Sequence, residues 1–252
     1  MRLDDKVAVV TGAGSGFGAG IAARFATEGA RVVAADINGD AAARIADDIR
    51  NAGGTALAVT ADVSKGDDMA RIVAAALDEF GALDVLVNNA GTTHKNRPML
   101  EVDEDTYDRV FAVNVKSVYH SAIHAVPVFR RQGHGNFINI ASTAGLRPRP
   151  GLTWYAATKG AVITMTKSMA VELAPDNIRA NAINPVVSAT GLLTDFLPGP
   201  DTPEARARFV ATIPLGRMST PRDVAAACLF LASEDAEFLT GVCLEVDGGR
   251  CI

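Results

Sequence analysis

The stretch Lys6-Val-Ala-Val-Val-Thr-Gly-Ala-Gly-Ser-Gly-Phe-Gly18 decides the fold class of this chain. Its first six residues form a short apolar, β-branched run, which is typical of a buried strand. A glycine-rich loop follows, and after it Ile21, Ala22 and Phe25 recur at helical spacing. Glycines in this context let the backbone turn tightly and approach a pyrophosphate, whose charge the N-terminus of the helix favours. The stretch therefore predicts a strand, a phosphate-binding loop and a helix.

The glycine spacing of this loop departs from the G-x-G-x-x-G pattern of dinucleotide-binding proteins. Gly12, Gly16 and Gly18 instead fit G-x-x-x-G-x-G. An ordinary glycine-rich turn is therefore the alternative to a cofactor-binding loop. The candidate cofactor-binding residues of the loop are Gly12, Ser15, Gly16, Phe17 and Gly18.

The alternation of apolar runs and helical patterns continues to the end of the chain. Near-continuous apolar strands that alternate with helices predict a parallel sheet covered by helices on both faces. No linker or composition shift divides the chain, so one α/β domain over residues 1–252 is expected. The predicted strands are residues 6–11, 31–36, 55–61, 84–88, 136–142, 178–184 and 242–246. Predicted helices after the first are residues 41–52, 67–80, 104–130, 154–174 and 221–232.

Composition and charge restrict the kinds of partner and compartment. The formal net charge is −5 and no long run of Lys and Arg occurs, which argues against nucleic acid or an anionic membrane as partner. No apolar stretch is long enough to span a bilayer, and residues 1–6 lack the apolar segment of a secretory signal. A cytoplasmic location is therefore expected. Cys228, Cys243 and Cys251 form no C-x-x-C pair, so neither a disulfide framework nor a metal site is expected.

Asp36 ends the second predicted strand, 18 residues beyond Gly18. A carboxylate at this position can accept hydrogen bonds from an adenosine ribose and repel a 2′-phosphate. Two unit charges about 4 Å apart cost roughly 1 kcal/mol in water and roughly 4 kcal/mol at an effective dielectric constant near 20. Ser15, Ile37 and Asn38 are neutral and do not offset this repulsion, so NAD(H) is predicted over NADP(H). A solvent-exposed Asp at a strand end is the alternative.

Two further loops follow predicted strands and contain small or polar residues. Asp62-Val63 follows the third strand, and Asn88-Asn-Ala-Gly91 follows the fourth. Loops at these positions of a doubly wound sheet reach its ligand crevice, where small residues permit close approach. Plain Asx turns are the alternative.

Tyr155, Lys159 and Ser142 are candidates for the chemical centre of the chain. Tyr155 and Lys159 are four residues apart, which places them on one face of a predicted helix. Ser142 ends the apolar run of residues 136–142, which is typical of a buried strand that ends in a loop. By itself a Tyr four residues before a Lys is a common helical pair.

Together these residues resemble the short-chain dehydrogenase/reductase family, and the resemblance covers nearly the whole chain. It implies a Rossmann-like, doubly wound parallel sheet of seven strands, a nicotinamide cofactor, hydride transfer between alcohol and carbonyl, and a homotetramer. It also implies catalytic roles for Asn114, Ser142, Tyr155 and Lys159. The cofactor contacts expected from the resemblance and the loops are Gly12, Ser15, Gly16, Phe17, Gly18, Asp36, Ile37, Asp62, Val63, Asn89, Ala90, Gly91, Tyr155, Lys159, Pro185, Ser188 and Thr190.

The chain departs from the family pattern after the sixth predicted strand. Members usually carry Pro-Gly there, whereas Pro185 is followed by Val186 in this chain. A β-branched residue resists positive φ, so the loop near the nicotinamide is expected to differ in shape from that of relatives.

Tyr155 is expected to act as both acid and base. Half-ionisation near pH 7.5 requires the pKa of a free tyrosine, about 10, to fall by about 2.5, which is roughly 3.4 kcal/mol. Lys159 and the positive charge of oxidised nicotinamide are the expected causes of this fall. Ser142 is expected to hydrogen-bond the substrate oxygen, and Asn114 to join Lys159 to solvent through water. A buried Asn114 satisfied by the backbone is the alternative.

The substrate walls are expected from three segments, residues 92–97, 143–154 and an irregular lid over residues 190–214. The candidate substrate residues are His94, Thr143, Arg149 and Leu192. Arg147 and Arg149 can bind a carboxylate or phosphate, although solvated arginines or a subunit contact are alternatives.

The sequence favours an NAD(H)-dependent enzyme that interconverts a secondary alcohol and a ketone. Reduction of a 3-oxoacyl thioester on acyl carrier protein is the alternative reaction, and a cofactor-binding protein without turnover is a third possibility. The expected partner is a small-molecule substrate, with no nucleic acid and no membrane.

Overall fold

The computed structural model describes residues 1–189 and 191–252. Its strands are β1 Val7–Thr11, β2 Arg31–Asp36, β3 Thr55–Thr60, β4 Val85–Asn88, β5 Gly135–Ile140, β6 Ile178–Pro185 and β7 Cys243–Val246. They form one seven-stranded sheet in the order β3-β2-β1-β4-β5-β6-β7. Every neighbouring pair is parallel. The predicted doubly wound parallel sheet is confirmed.

Helices cover both faces of this sheet. They are α1 Gly16–Thr27, α2 Gly39–Asn51, α3 Gly66–Phe80, α4 Glu104–Phe111, α5 Ser117–Gln132, α6 Thr153–Leu173, α7 Leu193–Phe196, α8 Pro203–Val210 and α9 Pro221–Ala232. No helix in the parts of the chain that the structure describes is long and apolar enough to cross a membrane.

Alternate residues of β1 point into two separate cores. Ala8 and Val10 pack with residues of α1, α2 and α9, and Val7 and Val9 pack with residues of α3, α5 and α6. All five residues of β1 are buried. This double burial explains why the strands read as continuous apolar runs rather than as alternating patterns.

The predicted helix over residues 104–130 is wrong as a continuous element. A π-helical turn, Ala112–Lys116, separates α4 from α5. Asn114 lies in this turn, and its side chain bonds to the backbone N–H and carbonyl of Thr92 on a neighbouring loop. The extra residue of a π turn widens the helix where this side chain leaves it, and such turns occur frequently at functional sites.

The irregular segment predicted over residues 190–214 contains two short helices, α7 and α8. Thr202 caps α8 by accepting a hydrogen bond from the N–H of Ala205, and Pro203 occupies the first turn. Leu193, Leu197 and Phe209 are buried together and form a small core under the segment. The assignment of this segment as a lid stays a prediction.

Most other boundaries lie within one or two residues of the predicted ones. The strand predicted over residues 136–142 ends earlier, because β5 stops at Ile140. Ser142 therefore lies in the loop after the strand, where its side-chain oxygen accepts a hydrogen bond from the N–H of Ala144.

Candidate active site

A cleft of about 640 Å³ opens where the loops after β1, β4, β5 and β6 meet. The strand order reverses between β1 and β4, so the loops after these two strands diverge. In a doubly wound sheet this switch point is where ligands bind. Of the predicted cofactor-binding residues, Gly12, Ser15, Gly16, Phe17, Asp36, Ile37, Asp62, Val63, Asn89, Ala90, Gly91, Tyr155, Lys159, Pro185 and Ser188 line the cleft.

The glycine loop has the geometry that a phosphate requires. Gly12 and Gly16 have positive φ angles of +64° and +55°, which favour glycine. A Cβ added at Gly12 would lie 2.8 Å from the Cα of Ala90. Ser15 caps α1 without a side-chain hydrogen bond, so the first N–H groups of α1 have no capping partner and are available to an anion. The loop thus fits the diphosphate of a dinucleotide.

Gly18 does not line the cleft but packs against the other side of the glycine loop. It is buried, and a Cβ there would lie 2.0 Å from the carbonyl oxygen of Gly12. Gly18 therefore permits the close packing of α1 on the loop, the role that the third glycine plays in dinucleotide-binding motifs.

Asp36 and Asp62 place carboxylates at one end of the cleft. The Asp36 carboxylate accepts hydrogen bonds from the N–H groups of Gly14, at 2.8 Å, and Asn38, at 2.9 Å. Asp62 accepts from both the N–H and the hydroxyl of Ser64. These bonds fix the orientation of both carboxylates. The Ile37 side chain beside Asp36 is 70% exposed, which suits a flat contact with an adenine ring.

Asn89 ties the loop after β4 to the glycine loop. Its amide donates to the carbonyl oxygens of Thr11, at 2.8 Å, and Gly12, at 3.1 Å. The Thr11 hydroxyl accepts from the N–H groups of Asn89 and Ala90. These bonds hold together the two loops that diverge at the switch point.

Ser142, Tyr155 and Lys159 converge on the cleft from β5 and α6. Lys159 is buried and donates a hydrogen bond of 2.8 Å from Nζ to the carbonyl oxygen of Ile140, at the end of β5. Its Nζ lies 5.8 Å from the centroid of the Tyr155 ring. The helical spacing and the strand end thus bring a hydroxyl, a phenol and an amine to one place.

The pKa of Tyr155 is shifted in the direction opposite to that expected from the sequence. Burial raises it to about 12, while a hydrogen bond with Ser142 and the positive charge of Arg149 oppose the rise. Burial also lowers the pKa of Lys159 to about 8. Among the protein groups burial has the largest effect on Tyr155, so the phenol stays protonated near neutral pH.

Asn114 is satisfied by hydrogen bonds to protein groups. Its side-chain oxygen accepts from the N–H of Thr92 at 2.8 Å, and its amide donates to the Thr92 carbonyl and to the Thr158 hydroxyl. A Cβ added at Gly91 would lie 3.4 Å from this side-chain oxygen and 3.5 Å from Nζ of Lys159. Asn114 thus joins the loop after β4 to α6, on the side where Lys159 lies.

The loop after β6 accommodates Val186 without strain. Among the described residues other than glycine, positive φ angles occur at Asp5 and Asn177, and Val186 is buried in an ordinary conformation. Its N–H donates to the carbonyl oxygen of Val246. Ser188 lines the cleft, but its hydroxyl donates to the Ser219 carbonyl at 2.7 Å. Thr190 lies outside the described residues.

Three of the four predicted substrate residues line the cleft, namely Thr143, Arg149 and Leu192. His94 does not. It is buried, with Nδ1 2.9 Å from the Lys95 carbonyl oxygen and Nε2 without a hydrogen-bond partner. The loop after β4 turns this side chain inward, which its sequence distance from the Asn88–Gly91 motif does not reveal.

Arg250 and Phe209 also line the cleft, although neither was predicted from the sequence. Arg250 follows Gly248-Gly249 after β7, so it lies at the same edge of the parallel sheet as the other loops. The sequence could have indicated Arg250 as a cleft residue, because it follows closely after the predicted strand of residues 242–246. Phe209 lies on α8, and the Arg149 guanidinium carbon lies 4.0 Å from its ring centroid.

Comparison with known proteins gives consistent matches over the whole chain. A family model described as enoyl-(acyl carrier protein) reductase matches residues 12–250. The 4-formylbenzenesulfonate dehydrogenase of Comamonas testosteroni is 54% identical over 252 residues, which cover 100% of both chains.

Two solved structures are also similar. The 3-ketoacyl-(acyl-carrier-protein) reductase from Brucella melitensis, complexed with NADH, has a TM-score of 0.92 and 47% identity, covering 99% of this chain and 100% of that one. A 7α-hydroxysteroid dehydrogenase complexed with NADH and 7-oxo glycochenodeoxycholic acid has a TM-score of 0.93 and 36% identity, covering 98% and 95%.

Proposed function

Because the chain belongs to the short-chain dehydrogenase/reductase family, we propose that it is an NAD(H)-dependent oxidoreductase that interconverts a secondary alcohol and a ketone. The observation that carries the proposal is the convergence of Ser142, Tyr155 and Lys159 on a cleft whose other end has the geometry of a dinucleotide site. Solved relatives at 47% and 36% identity are described with NADH. Because Ser142, Tyr155 and Lys159 are all present in the cleft and relatives are named as dehydrogenases, a cofactor-binding protein without turnover is not favoured.

The residues of the cleft fit NAD(H) from end to end. The glycine loop and the N-terminus of α1 would hold the diphosphate, and Asp36 would accept from the adenosine ribose. A Cβ at Gly12 would lie 2.8 Å from the Cα of Ala90, which explains glycine at this position of the cofactor loop. Asp62, Ile37 and the loop after β6 complete the proposed contacts. When bound, the nicotinamide supplies the acceptor or donor of the hydride.

Tyr155 is the proposed acid and base. In reduction its protonated phenol donates a proton to the carbonyl oxygen, and in oxidation the phenolate removes the hydroxyl proton. Ser142 holds the substrate oxygen against the phenol. Because burial keeps the pKa of Tyr155 near 12, the protein groups favour the donating form, and oxidation requires additional positive charge beside the ring.

Replacement of the phenol tests this assignment. Tyr155→Phe should lower kcat by about 100- to 10,000-fold, because it removes the general acid and base. The Kd for NADH should change little, since the ring remains. Tyr119→Phe is the matched control, because Tyr119 is 53% exposed on α5 and lies outside the cleft lining. Substantial residual turnover by Tyr155→Phe on an alcohol and ketone panel would overturn the proposal.

Reduction of a 3-oxoacyl thioester is a second candidate function. It is favoured by the name of the solved relative at 47% identity. Its carbonyl would meet the same Ser142 and Tyr155. A comparison of acetoacetyl thioester with simple ketones, each with NADH and NADPH, separates the two functions. A clear preference for the thioester would replace the leading proposal.

Oxidation of an aldehyde is a further candidate function, because the relative at 54% identity is a 4-formylbenzenesulfonate dehydrogenase. The hydrate of an aldehyde carries a hydroxyl and a hydrogen on one carbon, as a secondary alcohol does. The same phenol could therefore take its hydroxyl proton as the hydride leaves. NADH formation from aromatic aldehydes, with the carboxylate identified as product, tests this reaction.

We propose a homotetramer as the assembly, in keeping with the family. Large apolar side chains stay exposed on α5 and α6, namely Ile123 and Val171, and near the C-terminus, namely Phe238 and Ile252. Such side chains are typical of surfaces that another subunit covers. Light scattering coupled to gel filtration would contradict this proposal by giving the mass of a monomer. A cytoplasmic location stays a prediction.

A further inference from the structure

Three arginines, Arg147, Arg149 and Arg250, form what we call the arginine cluster on one side of the cleft. Arg250 is only 8% exposed, and Arg149 is half-buried over the ring of Phe209. Arg147 donates from Nη1 to the Arg250 carbonyl oxygen, which fixes the backbone that carries Arg250. Positive charge is thus built into the cleft and partly removed from water.

No carboxylate balances this charge within the part of the chain that the structure describes. None of the ion pairs found there, at up to 4.0 Å, includes a member of the arginine cluster. Asp247, the nearest acidic residue to Arg250 in sequence, directs its two carboxylate oxygens to the N–H groups of Gly249 and Cys251. Arg250, which is buried, and Arg149, which is half-buried, therefore lack the partners that buried charges normally have.

The strand order separates the arginine cluster from the acidic end of the cleft. Asp36 and Asp62, the carboxylates among its described lining residues, follow β2 and β3 at one side of the sheet. Arg149 and Arg250 follow β5 and β7 on the other side of the switch point. The diphosphate site at α1 follows β1. The arginine cluster is therefore placed to meet a substrate rather than the cofactor diphosphate.

The charges of Arg149 and Arg250 oppose each other. Burial and the positive charge of Arg250 lower the pKa of Arg149 to about 10, so that Arg149 is still protonated near neutral pH. Arg149 also lies near enough to Tyr155 to lower the pKa of its phenol. An anion between the two guanidinium groups would relieve their repulsion and sit near the reacting phenol.

The walls between the arginine cluster and Tyr155 are apolar. Leu152, Leu192, Phe196 and Phe209 line this part of the cleft, and the ring centroid of Phe196 lies 5.1 Å from that of Tyr155. A substrate that fits this surface has an apolar, preferably aromatic, body with a charge at its far end.

We propose that the arginine cluster binds a carboxylate or sulfonate at one end of an otherwise apolar substrate, whose reacting carbon lies at Tyr155. This inference rests on the proposed function, because it assigns the substrate class of the same site. Arg149 and Arg250 bind the anion through their guanidinium groups. Arg147 is a positioning residue, since it acts through the Arg250 backbone.

Matched substrates test the charge preference. The para-carboxylate, para-sulfonate and para-carboxamide derivatives of methyl phenyl carbinol have the same reacting group, and only the amide is uncharged. The kcat/KM of the wild-type enzyme should be about 10- to 150-fold higher for the anions, the value of a hydrogen bond to a charged group. The ratio of kcat/KM for the carboxylate to that for the sulfonate shows which anionic group fits the arginine cluster better.

Substitutions in the arginine cluster locate the effect. Arg149→Met and Arg250→Met should each lower the ratio of kcat/KM for either anion to kcat/KM for the amide by about 10- to 150-fold, and this ratio cancels any effect of Arg149 on the phenol of Tyr155. Arg208→Met is the control, because Arg208 is exposed on α8 beside Phe209 but outside the cleft lining. An equal loss on the amide would mean that Arg149 only supports the lid through Phe209, and it would overturn the inference. So would a comparable weakening of NADH binding.

A binding assay separates this inference from the proposed reaction. Calorimetry of the NAD⁺ complex with the para-carboxylate and para-carboxamide of acetophenone requires no turnover, because oxidised nicotinamide cannot donate a hydride to a ketone. Tighter binding of the carboxylate, lost in Arg149→Met, supports the anion site even if no alcohol is oxidised. Turnover of all three alcohols at equal kcat/KM, with equal binding of the two ketones, refutes the anion site and leaves the proposed function intact.

Discussion

Removal of the Asp36 charge should abolish the preference for NAD(H) over NADP(H). The Asp36 carboxylate lines the cleft, accepts from the N–H groups of Gly14 and Asn38, and forms no ion pair among the described residues. Its charge is therefore held in place and not neutralised where a 2′-phosphate would lie. Asp36→Asn preserves the shape of the side chain and removes only the charge.

The magnitude follows from the position of this charge. At about 4 Å from a phosphate oxygen the repulsion is roughly 1 to 4 kcal/mol, so the ratio of kcat/KM for NAD to that for NADP should fall by about 5- to 1,000-fold. The asparagine amide must face either Gly14 or Asn38, so one N–H loses its acceptor. We expect the free energy of unfolding to fall by about 1 kcal/mol as a result.

The assay measures kcat/KM with both cofactors and one alcohol, at low and high ionic strength. Because the repulsion is electrostatic, the ratio of kcat/KM for NAD to that for NADP should fall in the wild type as salt is added. The same ratio for Asp36→Asn should not change. Asp40→Asn, an exposed substitution at the start of α2, is the control for net charge. An unchanged cofactor ratio in Asp36→Asn would refute the assignment of this carboxylate.

Two further substitutions test the glycine loop and the buried amine. Gly18→Ala should weaken NADH binding and lower Tm, because the added Cβ would lie 2.0 Å from the Gly12 carbonyl oxygen. Gly160→Ala is the control: its added Cβ would lie 3.8 Å from the nearest neighbour, so the free energy of unfolding should rise by up to about 1 kcal/mol. Fluorescence titration with NADH and thermal melts compare the two variants, and equal effects would contradict the role of Gly18. Lys159→Met should abolish turnover. The free energy of unfolding of the wild type relative to this variant should also rise from pH 8 to pH 10, because unfolded Lys159 keeps a proton that folded Lys159, with a pKa of about 8, releases. A difference in unfolding free energy that stays constant over this range in denaturant melts would exclude the shift.

The sheet could be predicted because its strands are buried on both faces. Val7 to Val10 are fully buried in the fold, and a short, continuous apolar run of this kind is typical of a strand that helices cover on both sides. The glycine loop could be predicted for the same local reason, since a strand, a stretch with four glycines and a helical pattern follow one another directly. Tyr155 and Lys159 meet because four residues make about one helical turn.

The features that escaped prediction depend on distant contacts. The π turn at Asn114 reflects hydrogen bonds to Thr92 and Thr158, which no local pattern of residues 104–130 contains. Arg250 comes within reach of Arg149 only because β7 pairs with β6. The inward turn of His94 likewise depends on packing around it.

The sequence predicted that Lys159 and oxidised nicotinamide lower the pKa of Tyr155, whereas the protein groups by themselves raise it. The effect of the nicotinamide charge stays a prediction. The sequence shows which groups are neighbours, but the cost of burying a charge depends on the enclosing structure. Burial dominates both Tyr155 and Lys159. The conformation of Val186 likewise depends on the enclosing structure, since its N–H pairs with the carbonyl oxygen of Val246 and its φ is not positive.

The pairing of Ser188 with Ser219 has a consequence for how substrate preference can change. A parallel bridge joins these residues, and the Ser219 hydroxyl donates to the Val186 carbonyl oxygen at 2.9 Å. The segment between them is therefore closed at its base, next to the sheet. Because doubling the length of a flexible closed loop costs only about 0.6 kcal/mol, exposed residues between the two serines can be exchanged or added while the buried Leu193, Leu197 and Phe209 are kept. Substrate specificity can thus change while the catalytic residues Ser142, Tyr155 and Lys159 and the sheet stay the same.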